Sequence, residues 1–176
     1  MVPLFRTSVR IGKGCSPLAL TLHFTCMIKA PLHPLTPHGP GFRFIDRFEK
    51  KGELCGIGWK HLVKDAPYFQ DHFPGHPVMP AVLLVECAAQ AAGVLIMQGS
   101  DQLGTPLFLA SVDQFRIHGP VFPDEVVETV VTIEKELGPL VMVGVECKVK
   151  ERMVARGRLM LSRQLGSATQ KEDSQQ

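Results

Sequence analysis

The chain has 176 residues, 45% of them hydrophobic and 20% charged, with a formal net charge of +2. That is one domain's length with enough apolar material for a core, and the charge singles out neither a nucleic-acid binder nor a disordered acidic chain. Five cysteines, an odd number without a CxxC pair, point to no disulfide framework and no zinc site, and fit a reducing, cytoplasmic setting.

The first 36 residues carry Arg6, Arg10, Lys13 and Lys29, several prolines and no acid. They read as an extension outside the fold: a disordered arm, an organelle transit segment (which would place the protein in a stroma or matrix), or the residue of a start misassigned ahead of Met27. The folded domain is expected over 37–163. Segments 42–50 and 53–60 read as two strands joined at Lys51-Gly52, and 65–80 as a proline-interrupted loop. A long apolar helix begins at Pro80 or Ala81, where proline's missing N–H is no loss, and Gly99 is a plausible stop. Its run from 81 to 97 is interrupted by Glu86 and Gln90, which argues against a membrane span.

Four further strands follow, over 107–118, 126–136, 140–149 and 153–162. In the third, Val141, Val143, Val145, Cys147 and Val149 alternate with polar residues, the period of a half-buried strand. Gly138-Pro139 and Lys150-Glu151-Arg152 supply turns, and the polar tail over 164–176 reads as disordered. The fold class is therefore α+β: two strands, one long buried helix and four strands, most simply a curved antiparallel sheet wrapped around the helix.

Of the seven histidines, His72 and His76 have the most unusual neighbours. Pro74, Gly75 and Pro77 prevent the helical turn that would bring the pair onto one metal ion, and no third ligand is evident, so no metal is expected. Glu86 and Gln90 are four apart and share a helix face. From the residues alone, Glu86 is either a buried acid satisfied by Gln90 and nearby backbone, or a catalytic group.

The stretch "HFPGHPVMPAVLLVECAAQAAG" (72–93) resembles the signature HFPGxPxMPGVLxxEAxAQ of the FabZ-type 3-hydroxyacyl-[acyl-carrier-protein] dehydratases. "PHGPGFRFIDRF" (37–48) and "VDQFRIHGPVFPDE" (112–125) extend the likeness to about residues 35–162. The resemblance implies a hot-dog fold, with His72 and Glu86 as the catalytic pair contributed from opposite subunits of a homodimer, itself open to assembly as a trimer of dimers. It implies no cofactor, an acyl carrier protein as the partner delivering substrate, and no nucleic acid or membrane.

The implied reaction removes water from a 3-hydroxyacyl thioester: His72 takes the α-proton, while Glu86, whose charged form burial disfavours, protonates the departing hydroxyl. Backbone N–H groups of Ala81 and Val82 at the helix start are expected to face the thioester oxygen. Phe73, Gly75, Met79 and Gln90 complete the expected substrate contacts. The chain departs from the family pattern at Ala81, where glycine is usual, at Asp71, where glycine precedes HFPG, and at His76, where arginine or lysine is common. Two alternatives are a hot-dog thioesterase and a non-catalytic acyl-binding subunit of a specialised acyl or polyketide pathway.

Overall fold

The computed structural model describes residues 36–98 and 106–163. The extension before Thr36, the expected stop at Gly99 and the polar tail lie outside the described residues. After a 3₁₀ turn, Pro40–Phe42, come β1 (Arg47–Lys50), β2 (Cys55–His61), α1 (Pro67–Asp71), α2 (Val82–Met97), β3 (Phe108–Ile117), β4 (Val126–Leu137), β5 (Leu140–Val149) and β6 (Arg152–Ser162). All pairings are antiparallel, and the sheet order is β1-β2-β4-β5-β6-β3.

The alternation in β5 is realised: Val141, Val143, Val145, Cys147 and Val149 are all buried, facing the helix side with Val127 and Val131 of β4. Between these strands Gly138, at φ +58°, makes the tight reversal that a side-chain-bearing residue adopts only with strain. The helix, about 24 Å long at 1.5 Å per residue, lies across the sheet and contacts β4 and β2 most. Small residues permit that approach. A Cβ added at Gly58 would come within 3.1 Å of the Cβ of Ala91, and Ala88, Ala91 and Ala92 are completely buried.

Two expectations change. Residues 42–46 are not strand: the backbone of Phe42 and Phe44 is bound instead by a side chain from α2, and regular pairing starts only at Arg47. The expected loop over 65–80 contains α1, which starts at Pro67 and buries Phe69. Proline in a helix's first turn loses no hydrogen bond, so what reads as a breaker is here a start.

The two sides of the sheet end differently. β1 is a short edge. β3 is ten residues long, paired on one side only by β6, and carries a bulge between Asp113 and Arg116. Leu109, Val112 and Ile117 on it are all close to half exposed. No helix among the described residues is long and apolar enough to cross a membrane.

Candidate active site

His72 caps the end of α1 and begins a closed loop. The Val78 N–H donates to the His72 carbonyl at 2.9 Å, the His76 N–H donates to the Phe73 carbonyl at 2.8 Å, and Gly75 takes φ +78° between them. The Met79 N–H, donating to Val121 O at 2.8 Å, ties the loop to the segment after β3. Within this frame Nδ1 of His72 lies 2.9 Å from the Val78 carbonyl. A carbonyl only accepts, so Nδ1 carries a proton, and in the neutral tautomer Nε2 holds the lone pair. The ring is partly exposed and stacks on Phe73, with centroids 4.1 Å apart. Nε2 of His72 is thus the ring nitrogen without a hydrogen-bond partner among the described residues.

Glu86 sits in the second turn of α2, its side chain 24% exposed. Its Oε1 accepts from Gln90 Nε2 at 2.7 Å. Gln90 is 2% exposed, and its amide orientation is settled by backbone groups whose roles are fixed: Phe44 N–H donates to its Oε1 at 2.8 Å, and its Nε2 donates to Phe42 O at 2.9 Å. Both amide hydrogens and the amide oxygen are used. With Oε1 engaged by a donor, Oε2 is the carboxyl oxygen without a hydrogen-bond partner among the described residues. His38 adds to this cluster, its Nε2 3.6 Å from Glu86 Oε1, close enough for electrostatic contact but too long for a hydrogen bond.

A cavity of about 110 Å³ opens beside Glu86 and runs along one face of α2 past Gln90 and Gly93 to Met97, with Leu107 and Leu161 across from them. Thr36 and His38 stand at its wall, and so does Leu109 of β3, which is also 45% exposed at the sheet edge. Glu86 and Gln90 are therefore brought together as their spacing predicts. His72, Phe73 and Gly75 belong to a separate loop and are not among the cavity's lining residues. Met79 is buried in the core, while Ala81 and Val82 are exposed at the helix start.

That helix start has no side-chain cap. The N–H groups of Leu83 and Leu84 turn back to Pro80 O and Ala81 O, which leaves those of Ala81 and Val82 as the unclaimed donors at the positive end of the helix. No hydrogen bond or ion pair joins His72 to Glu86 within the chain.

Sequence reasoning gave no role to His38 or to Gly93, Met97 and Leu107. The signal for the helical ones is spacing: 86, 90, 93 and 97 continue one helix face. Nothing local connects His38 to a residue 48 positions away.

The family model of the FabA-like domain matches residues 36–158. The chain belongs to the FabA-like family. Relatives of this FabA-like chain include the 3-hydroxyacyl-[acyl-carrier-protein] dehydratase FabZ of Herpetosiphon aurantiacus, 34% identical over 129 residues, which are 73% of this chain and 92% of the relative. The enzyme of the same name from Syntrophobacter fumaroxidans is 33% identical, over 78% of this chain and 93% of its own. Among solved structures, the dehydratase heterocomplex ApeI:P from Xenorhabdus doucetiae superposes with a TM-score of 0.68 at 14% identity, covering 78% of this chain and 93% of that one. Thioesterase superfamily member 2 of Mus musculus reaches 0.52 at 12% identity, over 67% and 81%. The two structures share the hot-dog fold, and at such identities they speak to the fold alone.

Proposed function

We infer that this chain dehydrates 3-hydroxyacyl-[acyl-carrier-protein] to the trans-2-enoyl form, in fatty acid biosynthesis, as the names of its curated relatives describe for them. The observation that carries the reading is the opposite preparation of two groups: His72 Nε2 is left bare by the bond at Nδ1, and Glu86 Oε2 is left free by the Gln90 clamp on Oε1.

In the elimination, His72 Nε2 takes the proton from C2, and the C–H electron pair becomes the C2=C3 double bond. The C3–O bond breaks, its electrons stay with the oxygen, and Glu86 Oε2 supplies the proton that turns it into water. Charge developing on the thioester oxygen meets the N–H donors of Ala81 and Val82. The methyl of Ala81 leaves that backbone donor in place.

We assign the two groups to different protomers. Three observations support this: no bond joins them within one chain, β3 has an unpaired edge with exposed Leu109, Val112 and Ile117, and Leu109 is at once cavity wall and surface. A second copy seated on β3 would cover those side chains and close the cavity.

The test follows enoyl-thioester absorbance with a 3-hydroxyacyl carrier-protein substrate. His72→Ala and Glu86→Gln should each lose about 10²- to 10⁴-fold in rate. Unfolding the two variants together and refolding them as mixed dimers should recover activity that neither has alone. Inert wild-type protein defeats the dehydratase reading, and active variants defeat the residue assignment. Failure of the mixture to recover defeats the shared site.

A further inference from the structure

Gly93 lies in the interior of α2, where glycine is the least favourable residue after proline. Several other glycines have a reason visible in the fold. A Cβ at Gly157 would collide with the backbone of Phe115, one at Gly58 would meet Ile45 at 2.8 Å, and Gly75 and Gly138 have positive φ. Gly93 has none of these: it is helical, and a Cβ built on it would meet only Leu107 Cδ1, at 4.0 Å. The space beside it is the cavity.

Its position along that cavity is informative. Seven residues separate it from Glu86, about 10 Å along the helix axis at 1.5 Å per residue. The cavity continues past it to Met97, with Leu107 and Leu161 opposite, so the helix residues lining it beyond Gln90, namely Gly93, Val94 and Met97, and the leucines across from them are apolar. Such walls suit a hydrocarbon chain and offer nothing to a polar one.

We propose that Gly93 sets the acyl length the site accepts: its missing side chain keeps open the passage between α2 and Leu107, through which chains reaching more than about 10 Å beyond the reacting carbons must run. This rests on the dehydratase reading. Short acyl groups end before Gly93 and do not feel it. Long ones pass over it, and a methyl at that point narrows the passage where Leu107 already stands.

The experiment compares kcat/KM for 3-hydroxybutyryl and 3-hydroxypalmitoyl carrier-protein thioesters in wild type, Gly93→Ala and Gly93→Val. In Gly93→Ala the long-to-short ratio should fall roughly 10- to 200-fold, the range one methylene commands in an apolar pocket. In Gly93→Val it should fall further. The Tm of Gly93→Ala should rise by about 2–4 °C, because alanine is the better helix former and its methyl makes only an ordinary contact with Leu107.

A ratio that does not move in Gly93→Ala overturns the proposal. So does a variant that falls apart into monomers by sedimentation, which would mean that the glycine serves a subunit contact. Wild-type protein inert on both substrates removes the dehydratase reading itself, whereas active wild type with an unmoved ratio removes the length gauge alone. Should Gly93→Val fail to fold, Gly93→Ala carries the test.

Discussion

Strands β5 and β3 have the same length and opposite surroundings. β5 is hydrogen-bonded on both sides, by β4 and β6, and every second side chain along it is buried. β3 has β6 on one side and no strand on the other among the described residues, and eight of its ten residues are exposed. The interior of the sheet is complete within one chain, whereas the cavity reaches the exposed edge strand at Leu109. Stability and chemistry thus depend on different parts of the sheet: a lesion near β5 should unfold the protein, and one on β3 should silence it while leaving it folded.

The strongest way to break that division is a charge on the open edge. Val112→Asp, at a residue 46% exposed, should keep the single-chain fold while separating the protomers. The rate should then fall about 10²- to 10⁴-fold, as expected for a site deprived of one proton-transfer group. Sedimentation velocity beside the enoyl assay checks it, and a monomer with full activity would refute the shared site.

Next comes the opposite lesion. Leu159, fully buried on β6 opposite Val143 of β5, should cost about 2–5 kcal/mol when cut to alanine, read as a lower urea midpoint, with the specific activity of the remaining folded dimer retained.

Gln90→Ala sits between the two. It strands the Phe44 N–H and the Phe42 carbonyl, which should cost about 1–3 kcal/mol, and it also frees Glu86 to rotate. Stability and rate should therefore fall together, which neither Val112→Asp nor Leu159→Ala should do.

The smallest effect is alkaline. Burial, the largest cause, pushes the Cys147 thiol from 9.0 to about 12. The unfolded chain releases this proton near pH 9 and the folded one near 12, so above pH 9 the folded state binds more protons and loses stability as pH rises. Tyr68, raised to about 12 by burial, adds to the decline from a higher starting point. Chemical denaturation across pH 8 to 11 should show a flat region and then a fall, shallower in Cys147→Ala.

What could be read before the structure divides along the same line. The alternation of Val141 to Val149 and the apolar run of α2 are local, periodic patterns, and both became the elements expected. The segment 42–46 reads as the start of a strand running to the turn at Lys51-Gly52. Its first residues obey Gln90 instead, 46 positions from Phe44, and no window of sequence contains that bond. α1 was hidden because Pro67 has two meanings, and only the burial of Phe69 decides between them.

At the site, Glu86 stands out as an acid within an apolar run and His72 by its proline-rich neighbours, while their pairing comes from a resemblance. Which oxygen of Glu86 is free and which nitrogen of His72 is bare follow from the partners Gln90 and Val78, and those are matters of folding.

Gln90 has one consequence beyond geometry. The amide that holds Glu86 is also the tie that fastens Phe42 and Phe44 to the helix, so substitution at this position should lower stability and turnover together. A library randomised at residue 90 and sorted only for well-folded protein, with no assay of chemistry, should return the glutamine. Natural selection for a chain that merely persists in the cell would maintain the acid's aim without ever testing it.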